Sequence, residues 1–133
     1  MPPFVDDPVR YPNDARLIRI LRDANWWQPK DAPTRASSLA FFDTQRENSC
    51  LDLDQLTDNH FRKIQEHYPH TKIAVITACD ARAEGYSVCD DPSDFLPGHV
   101  VVCPPRDTGI KEYRRMASKL ALRSTMYLPP SRP

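Results

Sequence analysis

The chain has 133 residues, 40% of them apolar and 27% charged, and its 18 acids balance its 18 bases. That length suits one domain, and that composition excludes wholesale disorder. No apolar run reaches the roughly 18 residues that a membrane-spanning helix needs, and the N-terminus has neither a basic region nor an apolar stretch, so a cytoplasmic protein without a signal peptide is expected.

Proline is abundant at 14 residues and glycine scarce at 3. Most prolines lie towards the two ends and in connections, outside residues 51–103. So few glycines exclude a glycine-rich phosphate cradle, and with it P-loop and Rossmann-type nucleotide binding. The charge is balanced overall but segregated. Residues 40–105 carry five bases and eleven acids, whereas residues 106–133 carry seven bases and two acids. A basic tail after an acidic middle suits either an anionic partner or local cancellation of the two fields.

In chain order, residues 1–12 hold four prolines and read as an extended arm. Asn13 offers a helix N-cap, and Leu17, Ile18 and Leu21 share a face at helical spacing, which predicts a helix over 14–22. Trp26 and Trp27 follow, as a lid over the core or as an aromatic platform. Residues 28–36 read as a loop, 38–43 as a strand, and 49–53 as its returning partner in a hairpin. Alternation in that second strand sets Cys50 opposite Leu51 and Leu53.

Thr57 caps a helix over 58–68 with Phe61, Ile64 and Tyr68 on one stripe, and Pro69 stops it. The β-branched run 72–77 predicts a strand buried on both faces. A short helix over 78–84 then closes on Gly85, where a left-handed residue belongs. Strands over 86–89 and 99–103 flank an acidic loop at 90–98. The last helix, 108–123, has an apolar stripe of Ile110, Tyr113, Ala117 and Leu120 and a basic stripe of Lys111, Arg115 and Lys119. An edge strand at 126–128 precedes a frayed tail, 129–133. The sum is an α+β fold: a single domain over 13–128, with one mixed or mostly antiparallel sheet of about five strands and three helices packed on it.

The four cysteines, Cys50, Cys79, Cys89 and Cys103, have no Cys-x-x-Cys pair, so no metal and no cofactor are expected. They read as small core hydrophobes. Cys79 at a helix start suits a nucleophile only if a base such as His99 reaches it. His67 and His70 flank a helix C-terminus, where a cation suits the dipole. His99 opens an apolar strand and needs a polar partner, which the loop at Asp90 and Asp91 supplies. Arg35 with Ser37 and Ser38 suits either a bound phosphate or carboxylate, or a bridge to Asp91.

Arg35-Ala-Ser-Ser-Leu-Ala-Phe-Phe, then Ile76-Thr-Ala-Cys-Asp-Ala-Arg-Ala-Glu-Gly, then Asp90-Asp-Pro and Pro97-Gly-His-Val-Val-Val, stand in this order. Over residues 16–123 the chain resembles a family of small uncharacterised bacterial proteins. That family carries Arg-x-Ser-Ser-x-Ala-Phe, Thr-Ala-Gly-x-x-Arg-x-x-Gly and Asp-Pro…Ala-His-Ala-x-Val segments. Cys79 stands where the family pattern has glycine, and Gly98 where it has alanine. The resemblance implies that Arg35, Ser37, Ser38, Arg82, Asp91 and His99 sit together.

The sequence therefore favours a non-enzymatic binding or accessory protein with a protein partner in a larger bacterial assembly. One alternative is a small enzyme or toxin-like factor acting on RNA or a nucleotide-containing substrate through Arg35, Asp91 and His99, expected about 3 Å apart where they bond directly. Another is a weak nucleic-acid binder using Lys111, Arg115 and Lys119. Trp26, Trp27 and Arg82 complete the candidate binding residues.

Overall fold

The computed structural model describes residues 5–91 and 98–127. The start of the arm, residues 92–97 of the acidic loop and the expected frayed tail lie outside the described residues. Eight strands are present: β1 Arg16–Leu21, β2 Trp27–Gln28, β3 Arg35–Ala36, β4 Asn48–Asp52, β5 Lys72–Thr77, β6 Ser87–Asp90, β7 His99–Cys103 and β8 Thr125–Met126. The helices are α1 Asp58–His67, α2 Ala78–Ala83 and α3 Ile110–Arg123. Six strands form one antiparallel sheet in the order β6-β7-β4-β1-β5-β8, and β2 and β3 make a separate two-stranded ribbon. The α+β class holds, with one strand more in the main sheet than the five expected.

The largest departure from the sequence reading is at residues 14–22, which are strand and not helix. β1 runs antiparallel to β5 through six residue pairs, from Arg16↔Thr77 to Leu21↔Lys72, and pairs with β4 on its other side. An internal strand buries both faces, so Leu-Ile and Ile-Leu doublets appear in place of alternation. Such doublets also satisfy helical spacing, and pairing on two sides decides between them.

A second departure is at 38–43. Ser38–Phe41 forms a 3-10 turn in which Ala40 and Phe41 are buried against the α3 side of the sheet. The predicted hairpin therefore does not form, and β4 pairs instead with β1 and β7. Short apolar runs fit a strand or a buried turn equally well. The loop expected over 28–36 also carries structure, because β2 and β3 pair through Trp27↔Ala36 and Gln28↔Arg35.

The helix ends follow their sequence signals. Thr57 Oγ1 accepts from the His60 amide at 3.4 Å, while the Thr57 amide donates to His60 Nδ1 at 2.8 Å. Thr77 and Asp80 exchange the same pair of bonds at the start of α2. Gly85, at φ 94°, closes α2: its amide donates to the Arg82 carbonyl, and the Tyr86 amide to that of Ala81. β5 and β6, on either side of α2, do not pair; β1, β4 and β7 lie between them.

Two cores sandwich the sheet. On one face α2, α3 and the 3-10 turn pack on Leu17, Leu21, Cys50, Ile76, Val88, Val100 and Val102. On the other, Phe61 and Ile64 of α1 pack on Ile18, Leu51, Leu53 and Ile73. Cys50 thus lies across the sheet from Leu51 and Leu53, as the alternation requires. Ile110, assigned to the apolar stripe of α3, is exposed, while Tyr113, Ala117 and Leu120 of that stripe are buried, together with Met116 and Ala121.

The N-terminal segment is fastened to this body. Tyr11 is fully buried, and its hydroxyl donates to Asp90 Oδ1 at 2.9 Å. Asp6 accepts from the Val88 amide at 2.7 Å and from Arg82 Nε at 3.1 Å. Arg82 also donates to Asn13 Oδ1 and to the Tyr11 carbonyl.

Candidate functional site

The ladder between β1 and β4 contains only Leu17↔Asp52 and Ile18↔Leu51. Beyond Ile18 the pairing stops, and the side chain of Arg19 takes over. Its Nε donates to the Ala40 carbonyl at 2.8 Å and its Nη1 to the Ser49 carbonyl at 2.7 Å. The guanidinium thus serves a β4 carbonyl where the strand ladder has ended. Its plane also lies over the Trp26 ring, 5.0 Å from the centroid.

Arg19 is only 4% exposed, and among the described residues it has no carboxylate in an ion pair. Burial lowers its pKa, with neighbouring Arg22 adding to the effect. A guanidinium keeps its charge even so. A buried charge without a counter-charge is costly unless hydrogen bonds hold it, and two main-chain carbonyls do so here.

Beside this arginine opens a cavity of about 310 Å³. Its apolar lining is Ile18, Ile20 and Leu51, and its polar lining includes Arg19, Arg22, Ser49 and the rings of His67, Tyr68 and His99. The Arg22 guanidinium stands over the Tyr68 ring, 5.4 Å from its centroid. His99 Nδ1 lies 2.8 Å from the Asp91 carbonyl and 3.2 Å from Asp91 Oδ2. Both neighbours only accept, so Nδ1 carries a proton. The groove therefore joins an apolar floor to two guanidinium groups, a hydroxyl and an oriented imidazole.

The polar residues singled out in the sequence are only partly brought together. His99 and Asp91 meet as expected. Arg35 does not join them: β3 lies by β8, where the Ala36 amide donates to Ser124 Oγ at 2.9 Å, and β8 is separated from β7 by β4, β1 and β5. The Arg35 guanidinium donates weakly to the Ala36 carbonyl at 3.3 Å. Ser37 Oγ donates to the Asn25 carbonyl at 2.5 Å, Ser38 opens the 3-10 turn, and Arg82 is consumed in holding the N-terminal segment. Of the six residues grouped by the family resemblance, Asp91 and His99 meet, while Arg35, Ser37 and Ser38 lie elsewhere and Arg82 is at the N-terminal segment.

Gly98 has a physical reason for its identity. Its φ is +71°, and a Cβ there would stand 3.1 Å from Asp52 Cβ and Gln55 Cδ. Cys79 is exposed at the start of α2, and α2 packs on the face opposite the groove, so His99 is no base for it. Cys50 is buried, and burial pushes its thiol up to about 11. Among the described residues no group of three or more His, Cys, Asp or Glu is placed to share a metal ion.

Trp26 and Trp27 pack against the core edge, and Trp27 Nε1 donates to the Lys30 carbonyl at 3.3 Å. On α3, Arg115 pairs with Glu112 at 2.7 Å and Arg123 with Glu84 at 2.6 Å, while Arg114 stands over the Phe42 ring. That leaves Lys111 and Lys119 as the cations of the basic stripe without an ion pair among the described residues.

The sequence reading missed Arg19, Arg22, Ser49 and Tyr68. Read as helix, Arg19 points to solvent. Read with period two, it shares a face with Leu17 and Leu21, and that alternation was the available signal. No family model, no curated protein and no solved structure matches the chain.

Proposed function

We propose that this chain is a non-enzymatic binding protein, an accessory member of a larger bacterial assembly, and that the groove between β1 and β4 is its recognition surface. Arg19 carries this reading: it is a buried guanidinium with no carboxylate in an ion pair among the described residues, fixed by two carbonyls, on the wall of a partly apolar cavity. Convergent polar groups in an apolar cleft are the usual form of a ligand site. Arg35, Ser37 and Arg82, also picked from the sequence, are engaged in holding loops and the N-terminal segment.

A second reading has its own observation. An imidazole oriented by a carboxylate beside a groove is the arrangement of a general base, which fits a small enzyme acting on RNA or a nucleotide-containing substrate.

Gel filtration separates the two. The chain eluting from native lysate in a large complex, with RNA and nucleotides recovered unchanged after incubation with the purified protein, supports an accessory binder. A free monomer that converts either substrate, and loses the activity in His99→Gln, contradicts it.

A further inference from the structure

We infer that the groove takes a phosphate monoester carried on a compact apolar body. This rests on the reading of the groove as the working surface and adds the chemical class of its ligand.

Two guanidinium groups border the cavity, Arg19 and Arg22, and among the described residues neither is in an ion pair. Arg19 is anchored through Nε and Nη1, which leaves Nη2 without a partner among the described residues. Arg19 borders the groove where β1 and β4 part, and Arg22 stands close enough to act on its charge. Arg19 is thus held in place before any ligand arrives, and binding costs little ordering. Arg22, exposed and resting on Tyr68, adds a second charge.

A phosphate monoester carries a charge of about −1.5 to −2 at neutral pH and has three acceptor oxygens. Two arginine charges match that dianion, and the Ser49 hydroxyl adds a donor. A carboxylate has one charge and two oxygens and leaves one guanidinium unmatched. Asp91, beside the groove, is already engaged by His99. Ile18, Ile20 and Leu51 line the rest of the cavity, and its 310 Å³ lies at the small end of ligand pockets, which suits a single ring or a short chain as the attached body.

The test is calorimetric titration of the full chain with phenyl phosphate, benzoate and inorganic phosphate in low-salt buffer. The expected result is phenyl phosphate binding at least about tenfold more tightly than either of the others, each of which lacks one half of the match. Arg22→Gln changes an exposed side chain, leaves the fold intact and weakens phenyl phosphate about tenfold. Arg19→Lys keeps the charge but not the fork, and if it folds by circular dichroism it loses binding to a similar degree. Benzoate binding as tightly as phenyl phosphate overturns the phosphate class. Inorganic phosphate binding as tightly overturns the apolar body. Phenyl phosphate binding unchanged in Arg22→Gln, or absent altogether, overturns the site. Failure of the accessory role would appear separately, in the gel filtration, whatever these titrations give.

Discussion

At the scale of single residues, Arg19 joins stability to recognition. Replacing it with Met keeps an apolar stem of similar length but leaves the Ala40 and Ser49 carbonyls without their donor. Two buried acceptors left unpaired should cost about 2–4 kcal/mol, read by urea unfolding. Arg22→Gln, at an exposed position with a ring contact alone, should stay within about 0.5 kcal/mol of the wild type. Equal losses in both variants would contradict this division of roles. The cysteines give a second check at this scale. With its thiol pushed up to about 11 by burial, Cys50 stays largely protonated at pH 8. Iodoacetamide applied to the native protein at pH 8 should label exposed Cys79 and spare Cys50, which reacts only after unfolding.

At the scale of elements, legibility followed the number of partners an element needs. α1 could be read because its cap, its stripe of Phe61 and Ile64 and its proline stop are all local. α3 could be read from its own stripe of Tyr113, Ala117 and Leu120, and β5 from its β-branched run. β1 could not, because its two-sided burial depends on β4 and β5, which lie 30 to 60 residues further along the chain. Mistaking it for a helix turned Arg19 outward and hid the groove. The 3-10 turn at Ser38–Phe41 failed similarly, since only contact with α3 distinguishes it from a strand. Hydrogen exchange tests the corrected assignment: amides of Leu17 to Leu21 that bond to β5 should exchange only on global unfolding, because strands flank them on both sides. Exchange of these amides as fast as those in β8, a two-residue edge strand, would contradict it. Thr57→Ala removes an N-cap that closes a reciprocal pair of bonds and should cost about 1 kcal/mol in the same unfolding assay.

At the scale of the whole molecule, the sheet separates a structural face from a recognition face, and Arg19, which starts on the structural face with Leu17 and Leu21, borders the groove where the β1–β4 ladder has ended. α2 and α3 close one side, and α1 covers part of the other, leaving the groove beside β1 open. The N-terminal segment belongs to the structural part, since Arg82 ties it down through Asp6, Asn13 and the Tyr11 carbonyl. Arg82→Ala should loosen that segment, lower stability by about 1–3 kcal/mol and open residues 5–12 to limited proteolysis. The segregated charges meet across the fold, where Arg123 faces Asp80 and Glu84. This cancellation engages Arg123 of the tail, and exposed pairs of this kind add little stability. The central claim is that recognition happens at the groove. Its most direct measurement is a set of amide chemical shifts recorded as phenyl phosphate is added to the labelled full chain. The account predicts the largest changes at Arg19, Ile20, Arg22, Ser49, Tyr68 and His99, with the midpoint moved to about tenfold higher ligand concentration in Arg22→Gln. Changes centred on Lys111, Arg115 and Lys119 of α3, with the groove amides unmoved, would contradict it.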